Sequence, residues 1–146
     1  MLLQNMNWIF LALITAVFYG VYNVFIKISS GHINQIVGAV VLQITAALVG
    51  GVILVILKIT NSPLEISPKG VWFAVAAGIF VGLAEITSFF VFSKGVPASV
   101  GIPIIIGGSV LVGAILGLSV LKETLNPIHY LAIVLIVVGV IFLSSK

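Results

Sequence analysis

Hydrophobic residues in this chain come in long runs, and the charged residues, with one exception, are confined to the short intervals between them and to the chain's end. Five runs stand out, at residues 8–26, 33–57, 71–92, 96–121 and 127–143. A hydrocarbon core about 30 Å thick needs roughly 20 apolar residues in a helix that rises 1.5 Å per residue, and the runs are of that length. A closed β-barrel, the other structure that satisfies every backbone group in lipid, is built from short alternating segments, which these runs do not resemble. The pattern predicts an all-α integral membrane protein, a five-transmembrane-helix bundle that occupies residues 1–146 as a single transmembrane domain.

The polar intervals place the helix ends. Asn7 is a candidate cap for the first helix and Lys27 closes it, followed by the turn Ser29-Ser30-Gly31-His32. Lys58 ends the second. In the one sizeable loop, Asn61-Ser62-Pro63 breaks the chain, and Ser67-Pro68 reads as a cap with proline at the first helical position. Lys94-Gly95 ends the third helix before Pro97, and Asn126-Pro127 repeats the cap-and-proline device. The predicted helices are therefore about 8–27, 33–58, 68–93, 97–121 and 127–144. The first run is longer than the core of a signal peptide, has no Lys or Arg before it and no A-x-A-like site after it, so it reads as a retained helix.

Composition agrees. The chain is 62% hydrophobic and only 6% charged, against about 25% in soluble proteins, which excludes a water-soluble globule. Without cysteine there is no thiol or disulfide chemistry. The net charge of +3 comes from lysines at helix ends, so it predicts contact with membrane lipid and not with nucleic acid. His32 and His129 lack metal-ligand spacing, no glycine loop leads into Lys-Ser or Lys-Thr, and no cofactor is expected. Gly107-Gly108-Ser109 with His129 superficially resembles a serine hydrolase, but the chain contains no Asp and His129 starts a helix near an interface. No enzyme is expected.

Charge also bears on orientation. With five spans, Lys58, Lys69 and Lys122 share a side with the N-terminus, and Lys27, Lys94 and Lys146 lie on the other. Lysine asymmetry sets membrane orientation, and a three-to-three split gives insertion little preference. Copies inserted in both senses would pair as an antiparallel homodimer about an axis in the membrane plane.

Glu85 is the one charged residue inside a run, and an ionisable group at membrane depth is a hypothesis about function. Lys94 is about 13 Å further along the same helix, too far to neutralise it. A carboxyl group there can exchange a proton for a cation. Gly78, Gly82 and Glu85 share a face that another helix can approach closely; Ser88 extends it, and Phe89 and Phe92 follow. On the first helix, Thr15, Tyr19 and Asn23 are spaced by four and should look inward, since polar groups in lipid need partners. Gln43 is the amide at depth in the second span. In the fourth, Pro103 frees the carbonyl of Ser99 and Gly107-Gly108 follows a turn later, which predicts a bend or gate. Ser109, Gly113 and Gly117 form a small-xxx-small row for helix packing.

The run Phe92-Ser93-Lys94-Gly95-Val96-Pro97-Ala98-Ser99-Val100, the helix with Pro103, the close Leu121-Lys122-Glu123-Thr124-Leu125, the glycine of Val138-Gly139-Val140 and the ending Phe25-Ile26-Lys27 resemble the EamA-type domain of the drug/metabolite transporter superfamily. The resemblance covers essentially the full chain and implies one five-helix repeat, a half-size bacterial or archaeal member in the cell membrane that works as an inverted pair. The related four-helix small multidrug resistance proteins carry an essential glutamate in their first helix, where Tyr19 stands here, and a tryptophan near the position of Ile105 or Ile106. Their proton-for-drug exchange therefore does not transfer residue by residue. The expected function is secondary transport of a small organic solute, with Glu85, Tyr19, Asn23 and Gln43 binding solute or protons. The alternative is a non-transporting assembly subunit that pairs with an oppositely oriented half.

Overall fold

The computed structural model describes residues 6–145, so Lys146, counted in the charge balance, lies outside the described residues. Five helices follow in order: α1 (Trp8–Ser29), α2 (Gln35–Ile59), α3 (Pro68–Ser93), α4 (Ala98–Ser119) and α5 (Pro127–Ser144). Each is long and apolar enough to cross a bilayer. The chain is a multi-pass, all-helical membrane protein.

Local chemistry explains the ends. The Asn7 side chain accepts from the Ile9 amide at 2.9 Å. Asn34 accepts from the amides of Ile36 and Val37, which starts α2 at Gln35 and leaves Ile33 outside it. Ser67 accepts from Gly70, with Pro68 at the first position of α3. Asn126 departs from expectation: α5 has its initial proline, but the Asn126 side chain makes no capping bond. Its backbone carbonyl accepts from the His129 amide at 2.8 Å instead. At the end of α4, Lys122 takes φ 57° and the Glu123 amide returns to the Gly117 carbonyl at 3.0 Å, which stops the helix at Ser119.

The chain divides into two compact units, one of Val24–Gly95 and one of α1 up to Asn23 with α4 and α5. In the Val24–Gly95 unit α2 and α3 run antiparallel. The Phe89 ring occupies the space left by Gly38, where a Cβ would lie 2.5 Å from Cε1. Ala39, Phe89, Phe92 and Ile26 are its buried apolar residues. The Lys27 ammonium donates to the Phe92 carbonyl at 3.2 Å, joining the end of α1 to the last turn of α3 and placing a cation where that helix is electronegative. Further from that end of the pair, nothing lies within 4 Å of the Cβ positions of Gly50, Gly51 and Gly78. The packing is tight where α2 begins and α3 ends, and open beyond.

In the other unit, α4 and α5 meet at Gly107, which lies under Val140, with Ile136 at 3.5 Å from its Cβ position. Because lipid tails are as apolar as leucine, such contacts hold helices by close packing and not by expulsion of water. Side chains such as Trp72, Phe80 and Phe142 point outward.

Candidate functional site

Glu85 lies on α3 about two turns before its end and is 7% exposed, with Oε2 fully enclosed. The burial follows from α3 meeting α2 on neighbouring positions. One helical step before Glu85, Gly82 leaves room for the Gln43 side chain of α2, whose Oε1 comes within 3.3 Å of the Gly82 Cβ position. One step after it, Phe89 fills the space at Gly38. Glycine against amide and glycine against ring bring the two helices together around the acid. Gly82 and Gln43, both singled out by sequence, are thus in contact, while Gly78 faces open space.

On the far flank of Glu85, Ser88 is 8% exposed. Its hydroxyl makes no hydrogen bond among the described residues. Other helical hydroxyls are spent on their own backbone: Thr15 on Leu11, Thr45 on Val41, Thr87 on Leu83, Ser109 on Ile106 and Ser119 on Ile115. Such back-bonding is the usual resort of a hydroxyl in an apolar helix.

In the other unit, Asn23 is 3% exposed and donates through Nδ2 to the Tyr19 carbonyl at 2.8 Å. The expected inward face is only partly so: Thr15 and Tyr19 are exposed, Tyr19 by 51%. The reason is local. Thr15 satisfies its hydroxyl within its own helix, and the Tyr19 ring packs edge-on against Tyr22 at 5.4 Å between centroids. Pro103, where a bend or gate is expected, lies inside the helical span of α4. Pro103 sits in the second turn, so only the Ser99 carbonyl of the first turn loses a partner. Gly107 packs against α5, but Gly108 and Gly113 have open space and Ser109 is exposed. Gly117 is covered by its own turn, since Glu123 Oε2 reaches to 2.7 Å from its Cβ position.

Sequence reasoning missed Gly38, the Lys27 bond to α3 and the Glu123 contact. The pair Gly38-Ala39 was a visible signal of close approach; the other two depend on where helix ends meet. Among the described residues, no group of three or more His, Asp or Glu is placed to hold a metal.

The model of the EamA-like transporter family matches residues 6–145. The chain belongs to this family. EamA is a family of transporters and not of enzymes, which makes the chain a membrane transporter of small solutes. An uncharacterised protein of the archaeon Methanocaldococcus jannaschii is 31% identical over 136 residues, covering 93% of this chain and 95% of that protein. A match of two such chains almost end to end, each with room for one repeat, fits a half-size EamA member of prokaryotic type. No solved structure matches the chain.

Proposed function

We propose that the five helices act as one transmembrane domain in a secondary transporter of a small organic solute across the cytoplasmic membrane, with Glu85 binding the solute or coupling its movement to protons. The observation that carries this reading is the position of Glu85, an acid withdrawn from solvent in a spanning helix of an EamA chain, one helical step from the Gln43 amide. Tyr19 and Asn23 serve as further solute-binding groups of their own unit, and α4 flexes near Pro103, Gly107 and Gly108. Two copies inserted in opposite senses form an antiparallel homodimer in lipid, whose halves rock to give alternating access. The equal division of lysines supports this pairing, and the positions open within one chain, Gly78, Ser109 and Gly113, are suited to contact with the second copy.

The experiment is flux into proteoliposomes under an imposed pH gradient, screened over amines, amino acids and carboxylic acids. Glu85→Gln is expected to abolish gradient-driven accumulation while leaving dimer formation intact. Equilibrative flux unaffected by the substitution would make the protein a facilitator. Loss of pairing with no flux in the unsubstituted protein would instead indicate an assembly subunit.

A further inference from the structure

Among the described lysines Lys27 alone is half-buried; Lys58, Lys69, Lys94 and Lys122 are exposed. Its ammonium donates to the Phe92 carbonyl at 3.2 Å, an oxygen that also accepts from the Gly95 amide at 3.1 Å. The Lys94 amide is directed at it as well. An ammonium has three N–H donors and a carbonyl oxygen two lone pairs, so Phe92 satisfies one donor and is itself fully taken. Lys27 makes no other hydrogen bond and no ion pair among the described residues. A cation drawn partly out of water onto a neutral, shared acceptor lacks the charged partner such groups normally have.

The surroundings add positive charge and no acid. Lys94 caps the same end of α3, and the packing of Phe89 on Gly38 brings the first turn of α2 alongside. A helix C-terminus carries about half a negative charge and an N-terminus about half a positive one, so the ends of α3 and α2 roughly cancel and the two lysines stay uncompensated. His32 is exposed in the turn that leads into α2. All these groups belong to the Val24–Gly95 unit. Within it, Glu85 lies about 10 Å down α3 from Phe92. Glu65 and Glu123 follow α2 and α4, whose ends five spans place at the other membrane face. The last turn of a spanning helix is at the depth of lipid headgroups, where a lysine extends its ammonium toward water and phosphate. Phe25 and Ile28, exposed beside Lys27 in sequence, offer apolar surface at that depth.

We infer that Lys27 and Lys94 hold the phosphate of an anionic glycerophospholipid from the surrounding leaflet at the end of α3, with its acyl chains along the exposed apolar surface of α1. Lys27 supplies the donors that Phe92 leaves free, and Lys94 adds its charge from the same turn. A zwitterionic phospholipid carries the same phosphate together with an ammonium that the two lysines repel. A soluble phosphate has the charge and lacks the chains. The site is independent of the transport reading and stands whether or not the chain moves a solute.

The test is native mass spectrometry of the full chain, released from detergent micelles that contain equal amounts of phosphatidylglycerol and phosphatidylcholine with identical acyl chains. Phosphatidylglycerol is expected to be retained in preference, one molecule per chain. Lys27→Gln, which keeps a donor and loses the charge, should lower that preference about fivefold, and Lys27→Arg should keep it. Lys94→Gln should lower it by a smaller factor, and Lys58→Gln, at the other end of α2, should leave it unchanged. Because the Lys94 side chain is exposed, its variant reads the site even where circular dichroism shows that Lys27→Gln fails to fold. Equal retention of the two lipids overturns the inference, as does an indifferent Lys94→Gln or a loss at Lys58→Gln equal to that at Lys27→Gln. Displacement of the lipid by glycerol phosphate also overturns it, since the site would then be one for a soluble phosphate.

Discussion

Gly38 and Gly50 are both glycines inside α2, yet a methyl group added to each has opposite consequences. At Gly38 it would fall 2.5 Å from a ring carbon of Phe89, whose side chain is enclosed, so helix or ring must move. Overpacking of this kind costs about 1–3 kcal/mol, and Gly38→Ala is expected to destabilise the protein by that amount in denaturation followed by helical circular dichroism. Gly50 has nothing within 4 Å, and Gly50→Ala should be neutral or slightly stabilising through helix propensity. Equal effects at the two sites would refute the packing described.

At the scale of the element, two asparagines that look alike in sequence differ in what they do. Both Asn34 and Asn126 immediately precede a helix. Asn34 accepts from two amides of the first turn of α2, at 3.0 and 3.4 Å, while the Asn126 side chain takes no part in starting α5. Asn34→Ala is expected to destabilise the fold by about 1 kcal/mol, as loss of a cap does. Asn126→Ala should have a much smaller effect, because Pro127 already fixes the backbone angle that begins α5. Matched denaturation curves of the two variants check this, and a larger loss at Asn126 would contradict the assignment. The glycines of α4 teach a similar point. The row Ser109, Gly113 and Gly117 is regular in sequence, yet the glycine that meets α5 is Gly107.

For the whole molecule, orientation in the membrane is the property on which the antiparallel model depends. Reporters fused to the C-terminus, one active in the cytoplasm and one outside it, should both be active in the unsubstituted protein. Lys94→Gln leaves the side bearing Lys58, Lys69 and Lys122 with the excess, so that side and the N-terminus should become cytoplasmic and the C-terminal reporter active only outside. A single fixed orientation in the unsubstituted protein would end the homodimer model and require an oppositely inserted partner. The five spans, the membrane setting and the family were legible without coordinates, because each depends on the local content of the chain: runs long enough for the bilayer, and punctuation by Asn, Ser, Pro and Lys that acts within one helical turn. The isolation of Glu85 as an acid at depth was legible for the same reason. What only the tertiary structure decided is which faces meet. A helix apolar on every side carries little information about its own rotation or register, so nothing in the sequence set Phe89 against Gly38, Gln43 over Gly82 or Val140 over Gly107. Those pairings were settled by shape, where a missing side chain on one helix admitted a large one from its neighbour.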